Sequence, residues 1–332
     1  MIVKSKLFII VLCLLLLFLF PLFGSKYLLY IFTLIFINAI AAQGLNFLIG
    51  YTGQISLGHG AFMAIAAYIT AIMYSNYQYP FYLVFLLTPF MTSCVGVLIA
   101  LPSLRLKGLY LAMVTLAFHM VVSLGLMSLD KITGGYQGLS VSNPTIGHLV
   151  LNSEIDFYYL ALLSALLFFI LSFNLSRTKI YRAFIAIKER EISAQSMGIS
   201  LWGYKTLAFF LASFYAGISG CLFAVTMGHI TPNHFPLMVS IEFIMMNIVG
   251  GAGSILGILF GTVLITILPY FLLYVIQKLS FFIPAAVLLF ADIKIMIYGA
   301  IIVIFLMFVP GGFHGLLVKI SGHLYASERK TQ

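Results

Sequence analysis

Side chains able to do chemistry are scarce in the apolar runs of this sequence. Asn38, Gln43, Asn46, Gln54, His59, His119, Glu242 and Asn247 are the polar residues set among them. Glu242 is the one carboxylate inside such a run, six residues beyond Pro236. Ionised and alone at a bilayer centre it would cost about 2.5–3.5 kcal/mol, so it is expected to reach the outer interface or be protonated. Groups of this kind can guide a solute through a membrane, but they do not assemble a covalent catalyst. The sequence holds no Ser/His/Asp or metal-ligand spacing and no G-x-x-x-x-G-K-[ST] phosphate cradle. The expectation is a chain that is no enzyme and binds no metal or cofactor. Cys13, Cys94 and Cys221 are odd in number and lie in apolar runs, so they read as small buried hydrophobes.

Two glycine-rich breaks hold most of the remaining candidates. Residues 50–62 read GYTGQISLGHGAF, in a stretch with no charge between Lys26 and Arg105. Residues 247–261 read NIVGGAGSILGILFG. Both run G-x-x-G, then a serine, then Leu-Gly, as an internal repeat would. Free backbone groups are too costly to face lipid, so such breaks are buried in protein or line a water-filled path. Discontinuous segments are typical of substrate pathways. Gly50, Gly53, Gln54, Ser56, His59, Glu242, Asn247, Gly250, Gly251 and Gly253 are therefore the pathway candidates. His59 also fits a core histidine bonded to a neighbouring carbonyl. Small residues at four-residue intervals (Ser56, Gly60, Ala64; Gly253, Gly257, Gly261; Ala212, Ala216, Gly220, Ala224, Gly228) mark seams where helices approach closely.

The elements that must position these residues follow from composition. The chain has 332 residues, 63% hydrophobic and 8% charged, whereas a soluble domain is about a quarter charged. The fold class is an all-α polytopic membrane protein, because the apolar runs have the length of spanning helices rather than of ~10-residue barrel strands. Ten spans are expected: 7–23, 27–49, 54–74, 81–101, 108–129, 157–174, 205–227, 237–250, 255–276 and 294–310. The first is read as an uncleaved helix, since PLFGSKY lacks a small-x-small cleavage site. With the N-terminus inside, thirteen Lys and Arg fall on inner segments and four (Lys26, Lys131, Lys278, Lys294) on outer ones. Both termini are therefore placed in the cytoplasm. The net charge of +9 is topology rather than a nucleic-acid face. The whole chain, 1–332, reads as one transmembrane domain, with an outer loop at 130–156 and an inner loop at 176–204.

That inner loop, SRTKIYRAFIAIKEREISAQSMGISLWGYK, places Ile180, Ala183, Phe184 and Ile187 at helical spacing. Glu191 opens E-x-x-A-x-x-x-G, ending where Gly198 can stop a helix. A short amphipathic helix along the membrane surface is predicted, able simply to rest on lipid.

Here the chain resembles the permease subunits of branched-chain amino acid ABC importers, of the LivM type. The matching stretches are GYTGQISLGHGAFMAIAAYITA (50–71), LRLKGLYLAMVTLAF (104–118), ITGGYQGL (132–139), the run 182–220, SIEFIMMNIVGGAGSILGILFG (240–261) and FVPGGFHGLL (308–317). Gly311 stands where that family often has an arginine. The resemblance implies a permease bundle of the vitamin B12 importer type in a bacterial inner membrane. It implies pairing with a second homologous permease, two cytoplasmic ATP-binding subunits carrying ATP and Mg, and a periplasmic or lipid-anchored binding protein. The E-x-x-A-x-x-x-G segment would be the coupling helix, with Lys188, Glu189, Arg190, Glu191, Ala194 and Gly198 seated against the ATPase. The TGGYQG turn (133–138) would lie near the mouth facing the binding protein. Related permeases also serve urea and other small amides, which is the alternative cargo. A secondary transporter would need a coupling-ion site, and a channel a selectivity ring; neither is evident in the sequence.

Overall fold

The computed structural model describes residues 12, 15–103, 106, 108–146, 149–279, 290–309, 311–313 and 315. Residues 7–11, 13 and 14 of the expected first span, Cys13 among them, both termini, and Lys4, Lys6, Arg105, Lys107, Lys319, Arg329 and Lys330 lie outside the described residues.

The main helices among those residues are α1 (Lys26–Asn46), α2 (His59–Ala71), α3 (Phe81–Ser103), α4 (Leu109–Ser128), α5 (Glu154–Leu175), α6 (Lys179–Glu189), α7 (Glu191–Ser196), α8 (Leu201–Met227), α9 (Leu237–Gly250), α10 (Ile255–Leu279) and α11 (Phe290–Phe308). Six are long and apolar enough to cross a membrane: α1 with the π turn Phe47–Thr52 that continues it, α3, α4, α5, α8 and α10. Helix ends follow local chemistry. Ser25 caps α1 by accepting from the Leu28 amide, and a reciprocal Ser153–Asp156 capping box opens α5. Gly228, at φ +66°, closes α8 in the left-handed conformation that a side chain disfavours.

The core is built on α1 and α8. Their apolar windows are 78% buried, against 22% for α4. Helix α8 packs on α1, α2 and α3, while α1 also meets α5, α9 and α10. The expected seams explain how the helices come this close. A side chain at Gly220 would strike the Met63 carbonyl and Ala66 on α2, and one at Gly217 would strike Pro89 on α3. Gly250 and Gly257 face each other so tightly that a methyl on either would meet the other's carbonyl. Helices α2 and α9 are short; the fourteen residues of α9 span about 21 Å, less than a hydrocarbon core of ~30 Å. Helix α2 starts at the first glycine break and α9 ends at the second, and both are largely buried inside the bundle, where protein rather than lipid satisfies the free backbone.

Three expectations are corrected. Ser56 is not part of α2, which starts at His59. The Ser56 hydroxyl instead accepts from the Gly58 amide, and the Leu57 amide is held by the Thr115 hydroxyl, so residues 53–58 form a loop pinned to α4. Cys94 is exposed, on an α3 face shared with Phe90, Met91 and Leu98. In lipid such a face has no need of a protein partner, so a cysteine in an apolar run need not be buried. The inner loop, expected as one amphipathic helix, is two: Arg190, at φ −153° and ψ 105°, breaks α6 from α7.

The TGGYQG turn is a built structure. Gly134, Gly135 and Gly138 all take positive φ. The Thr133 hydroxyl donates to the Leu126 and Leu129 carbonyls. Strand β1 (Leu139–Ser140) pairs antiparallel with β4 (His229–Ile230), and His229 bonds the Gln137 carbonyl. Two further short strands, β2 (Thr145–Ile146) and β3 (Leu149–Val150), form a hairpin beyond it.

Candidate functional site: a joint between the two breaks and the inner loop

The breaks, about 200 residues apart in sequence, touch. Asn46, on the last turn of α1, accepts a hydrogen bond from the Gly253 amide at 2.8 Å. Gly253 can present that amide because it sits at φ +98° in the turn between α9 and α10. A Cβ at Gly50 would run into the Asn46 amide and stand 2.5 Å from the Gly253 nitrogen, so only glycine lets the two backbones meet. Gly312, from the FVPGGFHGLL stretch, seats on Gly251 from the other side. Asn247 ties α9 to α1 by donating to the Ala42 carbonyl at 3.0 Å.

The same joint receives the inner loop. Lys188, in the last turn of α6, donates to the Gly50 carbonyl at 2.7 Å. Tyr181 of α6 meets Tyr51 of the π turn edge to face, ring centres 4.8 Å apart. Gly53, at φ +70°, lies under the Lys188 stem. Helix α6 buries Ala183, Phe184 and Ile187, the face its spacing predicted. Helix α7 is fastened separately: Lys205, 2% exposed at the start of α8, holds Glu191 in a 2.7 Å ion pair. The Ile199 amide returns to the Ala194 carbonyl, closing α7 around Gly198 at φ +82°. A displacement of α6 or α7 would therefore be felt by α1, α8, α9 and α10 through short, directional contacts.

The expected site residues divide by these contacts. Glu191 is engaged with the bundle and Ala194 is buried, so these two face inward, while Lys188 is exposed with its ammonium bonded to the bundle. Glu189, Arg190 and Gly198 are exposed, beside the exposed apolar side chains of Ile192, Met197 and Trp202. Gly50, Gln54, Ser56, Asn247, Gly250 and Gly251 are buried, while Gly53 borders an open pocket of about 510 Å3 shared with Lys188, Glu189, Arg190 and Glu191. His59 is fully buried, its Nε2 bonded to the Ala41 carbonyl at 2.8 Å, and it packs edge-on to Phe243. Glu242 stands apart from the joint, paired with Lys294 at 2.8 Å. Among the described residues no cluster of His, Cys, Asp and Glu is placed to hold a metal ion.

Sequence reasoning missed Lys205, Lys294 and Gly312. The two lysines read only as charges that orient the chain, and nothing in their spacing announces a partner. Gly312 had a signal, its place in a glycine pair after a proline, but the segment it would meet was not legible.

A bundle of apolar helices with two buried breaks wired to one hydrophilic loop defines an integral membrane protein of the permease class. The family model described as branched-chain amino acid transport system / permease component matches residues 27–306. The high-affinity branched-chain amino acid transport system permease protein LivM of Escherichia coli (strain K12) is 32% identical over 289 residues, covering 80% of this chain and 68% of that protein. LivM of Salmonella typhimurium matches with the same identity and coverage. No solved structure matches the chain. The chain belongs to this family of permease components.

Proposed function

We propose that this chain is the permease subunit of an ABC importer that carries branched-chain, hydrophobic amino acids across the bacterial cytoplasmic membrane. In this reading about ten helices span the membrane, both termini are cytoplasmic, and a second homologous permease completes the pore. Two ATP-binding subunits grip the 176–204 loop from below, and a periplasmic or lipid-anchored binding protein delivers the amino acid above, near the 133–138 turn. The chain itself hydrolyses nothing. The observation that carries the reading is the Lys188–Gly50 bond meeting the Asn46–Gly253 bond at one joint. It gives a push on one exposed loop a rigid route to both broken segments, and packed joints of this kind switch between arrangements rather than yield gradually.

The test is uptake by the assembled importer in proteoliposomes. Leucine accumulation is expected to require ATP on the ATPase side and to persist when ion gradients are collapsed. Accumulation by the permease alone, without a nucleotide-hydrolysing companion, would overturn the proposal. A second expectation concerns Gly198. A Cβ there meets nothing within 4 Å, so a substitution costs only its φ of +82°. Gly198→Leu should destabilise the end of α7 by about 1–2 kcal/mol and lower uptake several-fold without preventing insertion. Gly198→Asn, which tolerates that conformation, should keep most activity. Normal uptake and ATPase stimulation in the leucine variant would remove α7 from the coupling route.

A further inference from the structure

Glu242 and Lys294 do not belong to the joint. They line a separate cavity of about 320 Å3 between α1, α9, α10 and α11, at the lower end of the volume range of small-molecule sites. The two side chains are 20% and 26% exposed, so the ion pair is reachable from the cavity rather than sealed in the core. Asn38 and Thr266, bonded to each other at 3.2 Å, supply an amide and a hydroxyl to the same wall. Leu34, Met246, Ile265 and Leu273 give it an aliphatic wall, and Tyr270 and Tyr298 add two phenol rings, that of Tyr298 lying under the Lys294 ammonium.

A partly buried charge pair is a weak source of stability, because desolvating two ions offsets much of their attraction. Aliphatic residues could have joined α9 to α11 without that cost. What an ion pair offers, and an aliphatic contact does not, is a matched donor and acceptor of opposite charge beside apolar walls. We propose that this cavity binds a zwitterionic amino acid, the Glu242–Lys294 pair opening to take its ammonium and carboxylate. Glu242 accepts from the ligand ammonium and Lys294 donates to the ligand carboxylate. Every charge keeps an opposite neighbour before and after, so the ligand enters without leaving an uncompensated ion in a low-dielectric site. Asn38 and Thr266 add hydrogen bonds at the polar end, and the apolar wall takes an aliphatic side chain. A neutral amide such as urea cannot replace both halves of the pair, so the cavity would discriminate amino acids from amides. The inference deepens the proposed function and rests on its reading of the cargo as an amino acid.

The experiment uses the complete importer in nanodiscs, with radiolabelled L-leucine binding measured in the absence of the binding protein and ATP-driven uptake measured in its presence. Two competitors separate the halves of the pair: leucinamide lacks the carboxylate and 4-methylpentanoate lacks the ammonium. Each should compete about 10- to 100-fold less well than leucine, the loss expected for one charge-assisted contact. Glu242→Gln and Lys294→Met should both lose leucine binding. The exchange of the two charges, Glu242→Lys with Lys294→Glu, should recover much of it, which also guards against a simple folding defect. If the wild-type importer moves leucine while both single variants bind and move it equally well, the pair is only a staple between α9 and α11 and the proposal falls. It falls equally if leucine binds no better than its two analogues, if the wild type binds none, or if the inserted charge-exchanged protein stays inactive. If the wild-type importer moves no amino acid at the expense of ATP, the proposed function itself fails, and the cavity assignment fails with it.

Discussion

Gly50→Ala should abolish ATP-driven uptake. The added methyl has no free direction: one neighbour is the Asn46 amide oxygen, already occupied by the Gly253 amide, and the other is the Gly253 nitrogen itself. Neither is the free end of a flexible side chain, so the backbone of one break has to retreat from the other. Overpacking of this kind costs about 1–3 kcal/mol, and loss of the part-buried Gly253–Asn46 bond adds about 0.5–1.5 kcal/mol more. The Gly50 carbonyl moves with its residue, so the Lys188 bond at 2.7 Å is disturbed as well. One methyl thus disturbs both hydrogen bonds that meet at Gly50, Asn46–Gly253 and Lys188–Gly50. The prediction separates from general misfolding through the double variant Asn46→Ala, Gly50→Ala. Removing the asparagine side chain makes room for the methyl, so the two changes should be far less than additive in thermal stability. Uptake should nevertheless stay low, because the tie between the breaks is gone. Wild-type uptake in the single variant would mean that the breaks need not touch during transport.

What the sequence made legible tracks the range of the interaction. The amphipathic face of α6 was readable because Ala183, Phe184 and Ile187 lie within two turns of one helix. The closure of α7 at Gly198 was readable because the Ile199 amide after it returns to the Ala194 carbonyl, only five residues earlier. The seams on α8 and α10 were also visible, since a run of small residues at fixed spacing has few uses other than close approach. Nine of the ten expected spans overlap described helices, with boundaries moved by a few residues and α2 starting five residues late, and six of those helices are long and apolar enough to cross a membrane.

The partners were not legible. The 50–58 and 247–257 breaks could be recognised separately as costly in lipid, but nothing local says that Asn46 reaches Gly253. Glu242 was identifiable as a carboxylate too costly to stay ionised and alone in lipid, but interface exposure or protonation was the expected remedy, and Lys294 lies 52 residues away at the start of another helix. Lys205 shows the limit most clearly. Positive charge at the inner end of a span has an ordinary explanation in topology, and that explanation hid a side chain only 2% exposed. A charge read from sequence reports a side of the membrane; only tertiary packing reports whether it faces water.

That buried lysine carries the second large prediction. Glu191→Ala should destabilise the assembled permease by about 3 kcal/mol, the lower end for breaking a buried pair, since Glu191 keeps some exposure. The loss comes from leaving the Lys205 ammonium without its carboxylate in a site that water scarcely reaches, and α7 should detach from the head of α8. Replacing both partners, Glu191→Leu with Lys205→Met, removes the charge and the desolvation cost together, and such exchanges are commonly neutral or stabilising. Thermal unfolding of the detergent-solubilised importer should therefore recover in the double variant. Uptake then decides what the glutamate does. The sequence pattern assigned Glu191 to the surface that meets the ATPase, whereas the 2.7 Å contact turns it towards the bundle. If it is a fastener, the double variant transports nearly as well as the wild type, and docking rests on Glu189, Arg190 and the exposed apolar trio Ile192, Met197 and Trp202. A double variant that is stable, binds its ATPases and still fails to transport would return Glu191 to the interface.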